Sequence, residues 1–180
     1  MLRPVMLLLS LVLLVAGCTT INQTARKAVP FDQEWAVLPF LNNTETPYAA
    51  ERAEAVVTAL LYTRGVQRLS SYPATTKDDE QMLPDRGTKR RQDALEWAKK
   101  KGIRYALVGT VTEWRYKVGL DGEPVAGVTL QVIDLQDGSV LWSGSGSKSG
   151  WSRDAVSAVA QQMMEKLIDT IPAQKTAVTP

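Results

Sequence analysis

The chain has 180 residues, with 21 basic and 19 acidic side chains, a formal net charge of +2 and no histidine. This near balance of charge argues against a broad nucleic-acid-binding surface. The absence of histidine removes the commonest general base and the commonest metal ligand, so an enzyme or a metalloprotein is a less favoured class.

The first eighteen residues have the pattern of a secretory signal. Arg3 gives a basic start, an almost uninterrupted apolar run follows from Val5 to Val15, and two small residues precede Cys18. This run is shorter than the ~20 apolar residues that a membrane-spanning helix needs. We therefore interpret residues 1–17 as a cleaved signal peptide. Cys18 is the only cysteine of the chain.

Three segments follow in the mature chain. Residues 18–34 are polar and predict a flexible tether, residues 35–172 predict one domain, and residues 173–180 predict a disordered tail. Removal of the signal peptide leaves enough chain for one compact domain with a core.

Within the domain, hydrophobic periodicity predicts alternating strands and helices. The predicted elements are a strand at 35–41, a helix at 47–64, a strand at 66–72, a helix at 89–101, strands at 103–117, 125–135 and 139–147, and a helix from about 152 to 171. Asp137 followed by Gly138 is a strong hairpin signal between the last two strands. The order β-α-β-α-β-β-β-α predicts a single α/β domain, with three helices packed on a mixed sheet.

Two local patterns give more specific expectations. Thr46 followed by Pro47 predicts the N-cap and first turn of the first helix. The segment 73–88 has no periodicity and contains Asp78, Asp79 and Glu80. A long loop of this kind is either functional or a solvated insertion, and the sequence leaves both open.

The residues around Cys18 resemble the lipobox of bacterial lipoproteins. In that class the cut falls before the cysteine, which carries the acyl chains, and no other cofactor is implied. The residue after the cysteine is Thr19 and not aspartate, which by the sorting rule of this class implies the outer membrane, facing the periplasm. The alternative is an ordinary signal peptide that happens to contain a cysteine.

The domain resembles the periplasmic lipoprotein group that includes CsgG, LpoB and the N-terminal domain of TolB, and within that group the PelC family. The general likeness lies in residues 35–40, 108–111, 132–135 and 140–142. The more specific likeness lies in residues 46–47, 51–54, 63–66, 113–117, 119–124 and 149–151. It covers essentially the whole mature domain.

This resemblance implies a non-catalytic, homo-oligomeric ring beneath the outer membrane. Such a ring would guide Pel exopolysaccharide towards a PelB-like outer-membrane porin. Because the Pel polymer is cationic, carboxylates that line the lumen would attract it. Asp121 and Glu123 in the predicted turn, and Asp78, Asp79 and Glu80 in the loop, are the candidates, although acidic turn residues are usually only solvated.

Two further residues receive roles under this resemblance. Arg104 is expected to pair with Asp121 and to position it, at a gain of at most ~1 kcal/mol for an exposed pair. Trp151, between a glycine-rich segment and the last helix, is expected at the bilayer interface, with core packing or a subunit contact as the alternative. The other four tryptophans are expected in the core or in an interface.

Two other functions compete with this reading. An LpoB-like activator of a peptidoglycan synthase needs a long tether, and the residues before Trp35, at ~3.3 Å each, are too few to cross the periplasm. A carboxylate-dependent glycan hydrolase needs two rigidly held acids. Asp121 and Glu123 are close in sequence, but a hairpin tip is a poor place to hold such a pair.

Overall fold

The computed structural model of the chain describes residues 19–25, 27–73, 86–119 and 122–174, which form a seven-stranded mixed sheet with three helices. In chain order the elements are β1 (Thr19–Ala25), β2 (Glu34–Val37), β3 (Leu41–Asn42), α1 (Ala49–Thr63), β4 (Arg68–Ser71), α2 (Arg86–Lys100), β5 (Tyr105–Tyr116), β6 (Pro124–Asp134), β7 (Val140–Ser149) and α3 (Val156–Ile168). The predicted α/β fold is confirmed.

The sheet has the strand order β1-β7-β6-β5-β2-β4, and β3 also pairs with β5. β5, β6 and β7 form the predicted antiparallel meander, while β2 lies parallel to both β4 and β5. In the β6–β7 hairpin Gly138 has a φ of 75°, which glycine adopts without strain. The Ser139 N–H donates to the Asp137 carboxylate at 2.8 Å. The hairpin signal is therefore confirmed.

Helices cover both faces of the sheet. α1 and α3 pack on one face over the larger core, where Trp35, Trp114 and Trp142 are almost fully buried. On the other face α2 contributes Ala94 and Ala98 to a smaller core, and such small side chains let a helix lie close to the sheet. Three of the tryptophans are thus core residues, as the sequence indicated.

The connection from the sheet to α1 differs from its prediction. The predicted first strand ends at Val37, and only Leu41–Asn42 resumes pairing, because Pro39 has no N–H to donate. Thr46 does not cap α1: its hydroxyl donates to the Trp114 carbonyl of β5. The helix begins at Ala49 after Tyr48, which has a φ of 59° and no side-chain cap.

The interpretation of residues 18–34 as a flexible tether is wrong for most of that segment. Thr19–Ala25 is strand β1, which pairs along its whole length with β7. Val29 is fully buried, and the Phe31 ring meets the Trp35 ring edge-on at 5.6 Å between centroids. The domain therefore includes the segment from Thr19 onwards and does not start at Trp35.

The C-terminal boundary also moves slightly. The Val29 N–H donates to the Pro172 carbonyl at 2.7 Å, and the Gln174 N–H donates to the Val29 carbonyl at 2.9 Å. Arg64, at the end of α1, donates to the Ile171 carbonyl at 3.2 Å. These contacts extend the domain through Gln174. The rest of the predicted tail, residues 175–180, lies outside the described residues.

Candidate functional site

The register of the sheet brings three chain segments to one end. The Cα partner of Thr19 in β7 is Lys148, so the residue that follows Cys18 lies near the end of β7. Trp151 follows β7 directly. Tyr116, the last residue of β5, is paired with Pro124, and the Gly150 N–H donates to the Pro124 carbonyl at 2.9 Å. We call this the Trp151 end of the sheet; it comprises Thr19, the described residues of the β5–β6 turn (116–119 and 122–124) and the loop 150–155.

Trp151 lies outside the core. The residue is 60% exposed, and its backbone N–H donates to the Asp154 carboxylate at 2.8 Å. A Cβ atom on the preceding Gly150 would lie 2.4 Å from a methyl group of Val159. The loop therefore approaches α3 closely, while the indole ring faces solvent. The structure excludes the core alternative for Trp151 within a single copy of the chain.

Tyr116 joins the β5–β6 turn to the loop that carries Trp151. Its hydroxyl accepts the Val156 N–H at 3.3 Å and lies 3.4 Å from the Asp154 carbonyl, to which it donates. α3 starts after Ala155, which supplies no side-chain cap. The Tyr116 hydroxyl therefore satisfies one of the free N–H groups that every helix start leaves.

Glu123 is the only predicted guiding carboxylate among the described residues. Its carboxylate forms a salt bridge with the Lys117 ammonium at 2.9 Å, and both side chains are about half exposed, at 40% and 45%. The Lys117 N–H also donates to the Glu123 carbonyl at 2.7 Å, which closes the turn. The other candidates, together with the predicted lipidation site, lie outside the described residues: Asp121, Asp78, Asp79, Glu80 and Cys18.

Arg104 contacts a different carboxylate from the one expected. Its guanidinium forms a salt bridge with Asp134 at 3.3 Å, just before β5 begins. The twelve residues of β5 separate Arg104 from the β5–β6 turn, which corresponds to ~40 Å of extended strand. Asp121 lies outside the described residues, so its pairing with Arg104 stays a prediction.

A second group of titratable side chains, which the sequence analysis missed, lies where β2 breaks at Pro39. The Glu54 carboxylate of α1 accepts the Phe40 N–H at 2.8 Å. Burial raises the pKa of Glu54 to about 7, although the Phe40 N–H and the charge of Arg90 oppose this shift. Arg91 of α2 donates to the Pro39 carbonyl at 3.1 Å, and burial lowers its pKa.

The sequence positions of Glu54 and Arg91 could have indicated that both side chains are partly buried. Glu54 follows the buried Ala53 and lies one turn before the buried Val57, and Arg91 lies one turn before the buried Ala94. Both residues therefore border the apolar stripe of their helix. Their contacts hold the interrupted strand between α1 and α2, which is a structural role.

The described ranges, 19–25, 27–73, 86–119 and 122–174, contain no helix that is both long and apolar enough to cross a bilayer. In the same ranges no three acidic or other metal-ligating side chains converge on a common point where a metal ion could bind.

Comparison with solved structures identifies the family. The chain is 37% identical to the protein in the structure of a PelC dodecamer from Paraburkholderia phytofirmans; the match covers 88% of this chain and 100% of that one, with a TM-score of 0.73. The chain belongs to the PelC family. A variant of that protein, also a dodecamer, matches at 36% identity over 87% of this chain and 100% of its own, with a TM-score of 0.72.

A more distant neighbour supports the fold alone. The lipoprotein GNA1162 from Neisseria meningitidis is 22% identical over 77% of this chain and 97% of its own, with a TM-score of 0.54. No protein-family model and no curated protein sequence matches the chain. The PelC match spans the whole of the solved PelC chain, so the resemblance of the sequence to this family is confirmed.

Proposed function

We propose that this PelC-family chain is a non-catalytic lipoprotein of Pel exopolysaccharide export. Acyl chains on Cys18 anchor it in the outer membrane, and the domain faces the periplasm. Several copies form a ring that guides the cationic polymer to a PelB-like porin. The observation that carries the proposal is the 37% identity over the full length of a PelC structure that is itself a dodecamer.

The anchoring part of the proposal is supported by the Trp151 end of the sheet. Cys18 directly precedes Thr19, and Thr19 lies beside Lys148 at the end of the sheet where Trp151 is exposed. Tryptophan is enriched at membrane–water interfaces, where its ring is partly solvated. The acyl chains and the indole group would therefore both contact the inner leaflet of the outer membrane. Both would lie on the same face of the oligomeric ring.

The guiding part of the proposal rests on the acidic turn at the same end. Glu123 lies in the β5–β6 turn, and Asp121 is two residues before it in the sequence. Asp78, Asp79 and Glu80 remain secondary candidates in the other loop. One exposed carboxylate attracts a cationic sugar only weakly, but a ring repeats each carboxylate in every copy. Such repeated, weak attraction favours entry of the polymer and still permits its release.

The acylation is tested by labelling cells with palmitate. We expect the label on the wild-type chain and none on a Cys18→Ser variant, which should leave the membrane fraction. A labelled Cys18→Ser variant, or one that stays in the outer membrane, would contradict the anchor.

The assembly is tested by native mass spectrometry of the purified mature protein. We expect one high-order species of closed stoichiometry, in line with the PelC dodecamer. A chain that is monomeric both in solution and in lipid nanodiscs would argue against the ring and would favour an activator that acts as a single copy.

The guiding role is tested by neutralising carboxylates. Asp121→Asn and Glu123→Gln should reduce Pel secretion while the ring mass stays unchanged. The matched control is Asp137→Asn, which neutralises an exposed carboxylate in the turn at the opposite end of the meander. Equal secretion from all three variants would show that these carboxylates do not guide the polymer.

A further inference from the structure

Exposed apolar side chains are concentrated at the Trp151 end. The described residues include five large hydrophobic side chains that are well exposed, namely Tyr48, Tyr62, Tyr116, Val118 and Trp151. The last three of these lie at the Trp151 end. Scattered exposed hydrophobic residues are normal, whereas several at one place indicate a contact surface.

Val118 is the extreme case among them. The residue is 100% exposed, although its side chain has no polar atom that water can bind. It directly follows Lys117, whose N–H closes the β5–β6 turn on the Glu123 carbonyl. The turn therefore projects Val118 beyond the last pair of the sheet, where none of the described residues covers it.

The distances across the sheet place Val118 near the other two side chains. Tyr116 and Gly150 both contact Pro124, from the strands on either side of β6. Neighbouring strands are ~4.8 Å apart, so the starts of the turn and of the Trp151 loop are separated by only ~10 Å. β1, which begins at Thr19, lies one strand further along. One surface thus includes the apolar turn, the indole ring and the residue next to the predicted acyl chains.

The charges among the described residues of this surface are balanced. Two basic residues, Lys117 and Arg153, stand against two acidic ones, Glu123 and Asp154, and Lys117 forms a salt bridge with Glu123. Strong attraction to anionic headgroups would need unbalanced basic residues. A surface with balanced charges and projecting apolar groups instead suits shallow insertion among lipid headgroups of any charge.

We infer that the end of β5 and the residue just beyond Lys117 form a second membrane contact, in which Val118, assisted by Tyr116, inserts into the bilayer interface beside Trp151. This inference rests on the proposed function, because the acyl chains on Cys18 would bring the Trp151 end to the membrane. The side chains at that end would then add their own, weaker affinity for the bilayer. The inference adds a consequence for export: the carboxylate of Glu123 would lie at the membrane-proximal opening of the ring, next to the porin.

The experiment uses the acylated full-length protein in vesicles. Because the thiol of Cys18 is blocked by lipid, Val118→Cys gives one reactive thiol for an environment-sensitive fluorophore. Brominated phospholipids quench a fluorophore only at short range. We expect the label at position 118 to lose most of its fluorescence in brominated vesicles. The control, Gln136→Cys in the β6–β7 turn at the opposite end, should keep its fluorescence.

The outcomes separate the inference from the proposed function. Flotation of the vesicles and the mass of the assembly report attachment and ring formation directly. If flotation and assembly mass are normal, but the label at position 118 is quenched as weakly as the label at position 136, the inference is wrong and the proposed function stands. A label at position 118 that is shielded from water but not quenched by brominated lipid would mean that a second copy covers Val118, which also overturns the inference. Failure to float or assemble would contradict the proposed function itself.

A second variant tests the side chain rather than the label. Val118→Asp places a charge in the turn, and the matched control Gln136→Asp places one at the opposite end. In the unacylated Cys18→Ser chain, we expect Val118→Asp to weaken binding to vesicles several-fold and Gln136→Asp to have no effect. Equal binding of the two variants would overturn the inference.

Discussion

The two ends of the β5–β7 meander use their side chains in different ways. At the end that carries the β6–β7 hairpin, which we call the Asp137 end, charged groups close the fold: Asp134 accepts from Arg104 and from the Gln136 N–H, and Asp137 accepts from the Ser139 N–H. At the Trp151 end, Val118 and Trp151 face solvent. The same three strands thus present one end closed by hydrogen bonds and ion pairs and one end with exposed apolar side chains.

We expect the two ends to contribute to different properties of the protein, namely the free energy of unfolding and the binding to membranes. Substitutions at the Asp137 end should change the free energy of unfolding and leave membrane binding unchanged. Substitutions at the Trp151 end should do the reverse. A residue that changed both quantities strongly would break the comparison.

The largest effect on stability is expected for substitution of Asp134, which is only 6% exposed. Asp134→Ala removes the partner of Arg104 and leaves the Gln136 N–H without its acceptor. We expect a loss of about 2–3 kcal/mol in the free energy of unfolding, measured with urea at pH 7. Asp137→Ala, in the exposed part of the same turn, is the control and should have a much smaller effect. Similar losses for both would show that burial of Asp134 is not the cause.

The comparison must be made at constant pH, because Glu54 should make stability depend on pH independently of either end. Its pKa is about 7 in the folded chain, against an ordinary value of 4.5. The folded state therefore holds an extra proton between these values, and stability should fall as pH rises from about 4.5 to 7, by at most about 3 kcal/mol.

Glu54→Gln removes this titration, and its effect is read from urea unfolding at several pH values. We expect a flatter profile than in the wild type, and the same profile as the wild type for Glu165→Gln, an exposed carboxylate of α3. A Glu54→Gln profile as steep as that of the wild type would assign the pH dependence to other groups.

Trp151 should show the opposite behaviour from Asp134. In the unacylated Cys18→Ser background, Trp151→Ala should weaken vesicle binding by roughly ten-fold. The variant loses the burial of the indole ring at the interface, which contributes about 1.4 kcal/mol or more to binding. Its free energy of unfolding should change by no more than about 0.5 kcal/mol. Tyr62→Ala, which removes an exposed aromatic ring of α1, is the control for both measurements. A loss of stability without a loss of binding would place Trp151 in a structural role.

The sequence predicts the regular parts of this fold well because their periodicity reflects burial. The apolar stripe of α3 and the alternation in β6 both follow from one buried face. β1 was missed for a physical reason. It is a polar edge strand in which Ile21 is the one side chain that packs against the core, so its sequence is similar to that of a solvated tether. Pairing with β7 decides the structure of β1, and this pairing cannot be recognised from a short stretch of sequence.

The candidate site could be predicted only in part. Trp151 was recognisable because a large apolar ring follows a glycine-rich segment with no periodic partner. Thr46 was misread because the local N-cap pattern does not show that its hydroxyl binds the Trp114 carbonyl, 68 residues away. Val118 carried no signal, since one valine in a turn looks like the end of a strand. Its significance appears only when the sheet register places it beside Trp151.

The smallest effect, and the one that tests how the Trp151 end is held together, is expected for Asp154. Its carboxylate accepts the Trp151 N–H, so Asp154→Ala should loosen the loop, with a cost of about 1 kcal/mol in stability and a loss of vesicle binding of a few-fold. Asp154→Asn keeps an acceptor oxygen and should restore most of the binding. Both substitutions remove the negative charge. If the carboxylate acted by repelling lipid headgroups, both would therefore bind vesicles more tightly than the wild type. Weaker binding for alanine and near-normal binding for asparagine would show that Asp154 orients the indole ring, and that this contact is built by the fold.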